Sequence, residues 1–390
     1  MDLNFHYYAV KTLAVRAGFA EEDAQVIANY SQFVDDFTNF FPMFFKDVPA
    51  FAQHLGIDFG LFWVFYPVTT GFDKWYDMAR LALEKNQRNI TVPYHFIPPH
   101  TKLNEEKKGD ERIAWRVKPA RMDSESLIQG LLLKAKDTFK DKPDAKENLI
   151  RIGALLHTFA DTYAHQNFSG FWGWENYCTL TSVYDNVKKT DITSDYAPGE
   201  YHLFPAIGHT EANHAPDDSN VFFDAKMKFT EKGDYDFTFG RSNTSEYSIV
   251  AREIINYLSA CLGKEPLSES DWNKLSEQLG KGFLTSQKTP TLLNAHWKKI
   301  FADVDYHYDK NEMMNELLEE TPWTEGLPDE SLKLMQQLSE QGIEMEPTLY
   351  KAKSDDFFYY NVIADKVRNF VNGKDVGEEQ RMILVNALKL

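Results

Sequence analysis

The sequence has little cysteine and no long apolar run. Two cysteines among 390 residues, Cys178 and Cys261, cannot supply the disulfide framework of a small secreted protein. The longest apolar run covers residues 59–68, which is far short of the about 20 residues that span a membrane. Residues 1–6 lack the basic flank and apolar stretch of a signal peptide. We therefore expect a cytoplasmic protein without a membrane span.

Positive charge is also scarce. The chain has 59 acidic and 42 basic residues, which give a formal net charge of −17. A chain of this charge does not attract long polyanions, so long nucleic acid is not expected as a partner. A small phosphate ester remains an acceptable substrate, because local cations can dominate a single site.

The apolar residues recur mainly at helical spacing, which predicts an all-α fold. Residues 39–76 are broken by proline and glycine and predict short helices and loops, and residues 190–245 predict loops with a short hairpin at 221–239. We expect a metal-binding helical core over 1–240 and a helical region over 241–390 packed on it, or one continuous domain. The predicted helices cover residues 7–17, 21–37, 73–86, 124–139, 143–167, 245–262, 270–280, 290–302, 309–319, 329–341, 355–372 and 377–389.

One predicted helix carries the pattern His157-x-x-x-Asp161-x-x-x-His165. Residues four apart on a helix share one face, so the three side chains form a stripe. Leucine and phenylalanine surround this stripe, and buried charges need partners or a metal ion. The alternative is a helix with two surface or hydrogen-bonded histidines and a solvated aspartate. The pattern favours a metal site, in which the two oxygens of Asp161 could bridge two ions.

Further imidazoles and carboxylates could complete such a site. Paired aspartates alone are more typical of a solvated helix end, and an isolated histidine is more often structural. Together, however, these donors without thiolates suit Zn²⁺, with Mn²⁺ or Fe²⁺ as alternatives, and they are numerous enough for two or three ions. The additional candidates are His6, Asp35, Asp36, His95, His209, His214, Asp217 and Asp218.

The order of these residues resembles the superfamily of zinc-dependent phospholipases C and fungal single-strand nucleases. Five segments over about residues 1–220, FHYYAV, SQFVDD, PYHFIP, HTFADTYAHQNFSG and IGH followed by PD, also resemble an uncharacterised bacterial family grouped near it. The resemblance implies a multi-helix phospholipase C/nuclease-like bundle with long loops, three zinc ions and additional C-terminal helices. The implied ligands are His6, Asp35 or Asp36, His95, His157, the bridging Asp161, His165, His214 or His209, and Asp217 or Asp218.

Two features depart from that superfamily. Its secreted members begin with a tryptophan whose amine and carbonyl bind zinc, whereas this chain reads Met1-Asp2. Asp2 or Asn4 could supply the missing ligand. The spacing between Asp161 and His165 is also shorter than is usual in that superfamily, so the number of ions, two or three, stays open.

These observations predict a metal-dependent hydrolase of a small phosphoester. Ions bridged by Asp161 would activate a water for attack on phosphorus, and Asp35 or Asp36 would orient the water or accept its proton. The alternatives are a non-catalytic protein stabilised by metal and a helical interaction protein without metal. The chain has no adjacent His-Asp pair and no nucleophile elbow, which disfavours two other hydrolase classes.

Overall fold

The fold is mixed α/β, with 53% helix and 13% strand, so the all-α prediction is wrong. A computed structural model describes residues 1–60, 62–72, 80–104, 106–196, 206–233, 235–322 and 348–376, and positions 333, 336, 337, 339 and 340. The predicted helix at 377–389, most of the one at 329–341 and half of the one at 73–86 lie outside the described residues.

The described residues form nine α-helices of eight or more residues, together with helices of other types and short helical turns. Two π-helices, Asn4–Ala9 and Gln87–His95, are important for the site described below. The helices are α1 (Val10–Ala17), α2 (Glu21–Asp36), α3 (Leu127–Asp141), α4 (Lys146–Ala164), α5 (Asn243–Cys261), α6 (Glu269–Phe283), α7 (Pro290–Ile300), α8 (Lys310–Leu317) and α9 (Asp356–Asn372). Short helical turns cover Ala50–Leu55, Glu84–Asn86, Gly109–Trp115, Trp174–Asn176, Thr193–Tyr196 and Thr210–Ala212.

The described strands form two sheets, and they are β1 (Met43–Phe45), β2 (Gly56–Asp58), β3 (Trp63–Phe65), β4 (Cys178–Asp185), β5 (Thr190–Asp191), β6 (Val221–Lys228), β7 (Tyr235–Ser242), β8 (Leu318–Pro322) and β9 (Thr348–Ala352). One sheet has five strands in the order β2-β3-β1-β9-β8, and the other has four strands in the order β5-β4-β6-β7. β1 pairs with β9 in parallel, and the other pairings are antiparallel.

Strand length explains which strands the sequence predicted. β6 and β7 confirm the expected hairpin, because eight residues each are long enough to show an alternating pattern. The strands β1, β2 and β3 have three residues each, too few for any periodicity, and the prediction for 39–76 missed them. The helical turn Ala50–Leu55 confirms a short helix in the same segment. β8 follows α8 directly, so the helix predicted over 309–319 ends at Leu317.

The largest core cluster surrounds the crossing of α2 and α4. It includes residues from both ends of the described chain, such as Phe5, Tyr247 and Tyr360, which are fully buried. A smaller cluster with Phe168 and Phe223 lies under the four-stranded sheet. Among the described residues, no helix combines the length and apolar character needed to cross a bilayer.

The crossing of α2 and α4 depends on Gly153. A Cβ atom at this position would lie 2.4 Å from the carbonyl oxygen of Ile27 on α2. The absence of a side chain therefore allows the two backbones to approach closely.

We predict that Gly153→Ala lowers the free energy of unfolding by about 1–3 kcal/mol, because a well-packed core cannot absorb the added methyl group. Gly130→Ala on the exposed face of α3 is the matched control, since a Cβ atom there would have no neighbour within 4 Å. This control should gain up to about 1 kcal/mol from helix propensity. Urea unfolding measures both effects, and a stabilised Gly153→Ala variant would contradict the close crossing.

Candidate metal centre

Helix α4 carries the predicted stripe on its buried face. His157 is 0% exposed, Asp161 is 1% exposed, and His165, the residue that caps the helix, is 4% exposed. The alternative of a solvated aspartate between surface histidines is therefore wrong. A carboxylate in such surroundings requires positive or hydrogen-bonding partners close by.

Two π-helices bring further imidazoles to α4. His6 lies within Asn4–Ala9, and His95 is the last residue of Gln87–His95. The three prolines among residues 90–100 predict an extended or irregular segment, and this prediction is wrong up to His95. Pro93 lies inside the helix, where it cannot donate a backbone hydrogen bond. Single π-helical turns occur frequently at functional sites.

Four side chains converge on one point and form the first cluster, consisting of Asp35, His95, His157 and Asp161. Asp161 Oδ2 lies 3.1 Å from His95 Nδ1 and 3.3 Å from His157 Nε2. Asp35 Oδ1 lies 3.7 Å and 3.6 Å from the same two nitrogens. A tetrahedral zinc ion with bonds of about 2.1 Å holds its ligand atoms about 3.4 Å apart. The measured separations lie close to that value.

Backbone carbonyls fix the tautomers of both imidazoles in the first cluster. His95 Nε2 donates to the Thr70 carbonyl at 2.8 Å, and His157 Nδ1 donates to the Ser31 carbonyl at 2.8 Å. In the neutral rings the other nitrogens, His95 Nδ1 and His157 Nε2, therefore carry no hydrogen, and they lie 3.2 Å apart. Two lone pairs at this distance repel each other unless a proton or a metal ion lies between them.

The second oxygen of Asp161 has its own partners. Asp161 Oδ1 lies 2.5 Å from the amino group of Met1 and 3.1 Å from His6 Nε2. His6 stacks on His157 with 3.8 Å between ring centroids, and its Nδ1 is buried without a hydrogen-bond partner. The structure thus places the Met1 amine beside Asp161, whereas the Asn4 amide binds Ser219 instead.

A second cluster consists of His165, His209 and Asp217. Each imidazole again donates its Nδ1–H to a carbonyl, His165 to that of His95 at 2.7 Å and His209 to that of Asn213 at 2.8 Å. Their Nε2 atoms lie 3.0 Å and 3.1 Å from the two oxygens of Asp217. The Met1 amine is 3.2 Å from Asp217 Oδ1 and so lies between the clusters.

Electrostatics keeps these carboxylates charged. Burial raises the pKa of Asp161, but nearby positive charge, led by His165 and the Met1 amine, outweighs burial and holds the pKa well below its usual range. Burial also raises the pKa of Asp217, and the charge on His209 reverses the effect. Burial lowers the pKa of His6 to about 3. Burial lowers the pKa of His95 and His209, but Asp161 and Asp217 respectively outweigh burial and raise both pKa values. The centre therefore offers anionic oxygens and a neutral His6 at pH 7, and metal binding would displace any proton held by His95 and His209.

Three other candidates lie apart from the clusters. Asp36 accepts a hydrogen bond from Tyr308, and Asp218 pairs with Lys288. His214 is exposed beside the cleft. The structure therefore brings the alternatives Asp35, His209 and Asp217 into the clusters.

A cleft of about 310 Å³ opens onto both clusters. Phe72, Leu81 and Ile207 line it with apolar groups, next to the imidazoles and carboxylates. A second cavity of about 650 Å³ shares His214 and Asp217 with this cleft and extends to Lys288. The two cavities therefore adjoin each other at the second cluster.

Several groups that shape the centre have no signal in the sequence. The carbonyls of Ser31 and Thr70 belong to residues without any motif. Arg241 and Asn243 bind backbone carbonyls around the second cluster, about eighty residues after His165 in the chain. Only their burial and hydrogen bonds in the folded protein identify them.

The model of a family of unknown function, DUF6765, matches residues 1–374. The chain belongs to this family. No curated protein and no solved structure matches it. The matched range of the DUF6765 family contains both clusters. The family description names no activity.

Gly208 places His209 in the second cluster. Its φ is +55°, and a Cβ atom there would lie 2.4 Å from the ring of Phe96, which itself stacks on His165 at 4.4 Å. A side chain at this position would therefore collide with the packing that supports the cluster.

We predict that Gly208→Ala costs about 1–2 kcal/mol of folding free energy for the left-handed backbone, plus about 1–3 kcal/mol for displacing Phe96. Gly263→Ala is the control, because Gly263 has a φ of +66° with nothing within 4 Å. It should show only the backbone cost. Denaturant unfolding of both variants gives the difference, and equal losses would show that Phe96 does not constrain Gly208.

Proposed function

We propose that this chain is a metal-dependent hydrolase of a small phosphoester, located in the cytoplasm. The observation that carries the proposal is the first cluster, where two imidazole nitrogens and two carboxylate oxygens lie 3.1–3.7 Å apart, close to the edge length of a zinc tetrahedron. The resemblance in ligand order to zinc-dependent phospholipases C and fungal nucleases supports the same reaction class.

The residues present fit two or three ions. Zn²⁺ suits the mixture of imidazole and carboxylate donors, and Mn²⁺ or Fe²⁺ would accept the same donors. Asp161 would belong to two of the sites, because its oxygens have different partners. The first ion would bind Asp35, His95, His157 and Asp161, the second His165, His209 and Asp217, and a third His6 and Asp161.

The bound ions would supply Lewis acidity toward a phosphoryl oxygen and lower the pKa of a water. Asp35 would orient this water or accept its proton, because its side chain is 32% exposed, whereas Asp161 is 1% exposed. Phe72 and Ile207 would exclude bulk water from one side of the reacting group. The net charge of −17 favours a small ester over long nucleic acid.

A non-catalytic metal protein is the second candidate. The first cluster offers four protein donors, which is typical of a closed structural site. The second cluster offers three residues beside an open cleft, which is typical of a site that keeps a position for water. The second cluster therefore favours catalysis, while the first cluster alone would suit a metal that stabilises the fold.

We predict that the protein purified without chelator contains two or three zinc-like ions per chain. Asp161→Asn should remove most of them, because one oxygen pair serves two sites. Asp35→Asn should weaken only the first site. Metal analysis by mass spectrometry of the purified variants measures this outcome.

Asp36→Asn is the matched control, since Asp36 neighbours Asp35 in sequence but accepts a hydrogen bond from Tyr308. Its metal content should equal that of the unmodified chain. A folded protein without bound metal would contradict the proposal and favour the helical interaction protein.

We also predict that the metal-loaded protein hydrolyses bis(4-nitrophenyl) phosphate, and the release of 4-nitrophenol measures this reaction. Removal of the metal with a chelator should abolish it, and added Zn²⁺ should restore it. Asp35→Asn should lower kcat by about 10²–10⁴-fold, as for the loss of a general base. Hydrolysis that persists in Asp161→Asn would exclude this centre as its source.

A further inference from the structure

Arg241 is a buried cation bound to backbone carbonyls. It is 4% exposed, and among the described residues no carboxylate lies within ion-pair distance of it. Burial lowers its pKa to about 10, so the guanidinium stays charged at pH 7. Burying a guanidinium costs free energy unless each of its N–H groups has a hydrogen-bond acceptor. The acceptors of Arg241 therefore identify the segments that this residue holds in place.

Those partners lie directly before two residues of the second cluster. Arg241 donates from one terminal nitrogen to the carbonyls of Tyr163, at 2.9 Å, and Ala164, at 2.6 Å. The other terminal nitrogen donates to the carbonyl of Pro216, at 2.9 Å. His165 follows the first pair and Asp217 follows Pro216. One rigid guanidinium thus connects the backbones of these two metal-ligand candidates.

Neighbouring side chains complete the same attachment. Arg241 Nε donates to the Asn243 side-chain oxygen at 2.8 Å, and the Asn243 amide donates to the carbonyls of Ala215 and Asp218 at 2.6 Å and 2.8 Å. The Tyr247 hydroxyl donates to the Asp217 carbonyl at 2.5 Å. The start of α5 therefore holds the turn that carries Asp217.

Arginine suits this place for two physical reasons. Its planar fork can reach carbonyls on two segments at once, whereas the ammonium of lysine is a single point with a flexible stem. Its charge lies at the C-terminal end of α4, where the helix dipole favours a cation. Phe223 packs against the guanidinium, 4.8 Å from ring centroid to carbon, which further fixes its plane.

We propose that Arg241 is a positioning residue that sets the separation of His165 and Asp217, and thereby the metal affinity of the second cluster. The first cluster does not depend on it, because α2, α4 and the second π-helix hold its residues. This inference rests on the proposed metal centre.

The test is a Zn²⁺ competition titration against a chromogenic chelator, which needs no substrate. His157→Ala and His209→Ala identify the affinities that belong to the first and second clusters. Arg241→Lys is then compared with Arg116→Lys. Arg116 is a matched control, because it is 5% exposed and also donates to backbone carbonyls, those of Glu175 and Lys228.

We expect Arg241→Lys to lower the Zn²⁺ affinity of the second cluster by about 10–100-fold, as for the loss of a group that orients metal ligands through hydrogen bonds. The Zn²⁺ affinity of the first cluster should stay unchanged. Arg116→Lys should leave both affinities unchanged. An unchanged second cluster in Arg241→Lys, or equal weakening of both clusters, would overturn the inference while the metal centre stands. Absence of Zn²⁺ binding by the unmodified chain would instead overturn the metal centre and this inference together.

If Arg241→Lys does not fold, Tyr247→Phe tests whether these backbone contacts position Asp217. It removes only the hydroxyl that binds the Asp217 carbonyl and keeps the buried ring. We expect the Zn²⁺ affinity of the second cluster to fall by about two- to tenfold, which corresponds to the loss of one neutral hydrogen bond. An unchanged affinity in Tyr247→Phe would show that the start of α5 does not position Asp217.

Discussion

The buried carboxylate of Asp161 is the constraint on which the centre depends. An ionised carboxylate that is 1% exposed costs several kcal/mol in lost hydration unless its oxygens are fully compensated. One oxygen faces the Met1 amine and His6, and the other faces His95 and His157. Three segments of the chain, the N-terminal one, the one that ends at His95 and α4 itself, therefore meet at this helix position. This requirement explains why both π-helices contribute a histidine to the buried face of α4.

Backbone carbonyls do as much for the centre as the side chains do. Four imidazoles, those of His95, His157, His165 and His209, each donate one N–H to a main-chain oxygen. This arrangement fixes the ring orientation and leaves the second nitrogen free to act as an electron-pair donor. The carbonyl of His95 also accepts from His165, so one residue contributes to the first cluster through its ring and to the second through its backbone.

The sequence predicted those parts of the site that follow from local spacing. The stripe on α4 was predictable because a helix fixes the geometry of residues four apart. The choice between Asp35 and Asp36 was not, since neighbouring helix residues point about 100° apart and the phase of α2 depends on packing at Gly153. The short strands β1 to β3 lack any period to detect. Arg241 acts through backbone atoms and therefore leaves no motif.

The two clusters differ in how the fold supports them, and this difference bears on their roles. Helices hold the first cluster, so its geometry is tied to the stability of the core. Turns carry His209 and Asp217 in the second cluster, and these turns hold their shape through Gly208, Arg241 and Asn243. Because a turn can adjust at smaller cost than a helix crossing, the second cluster of the proposed hydrolase would accept changes in coordination more easily than the first. The first cluster would then keep Asp161 charged and in place, while ligand exchange would occur at the second cluster.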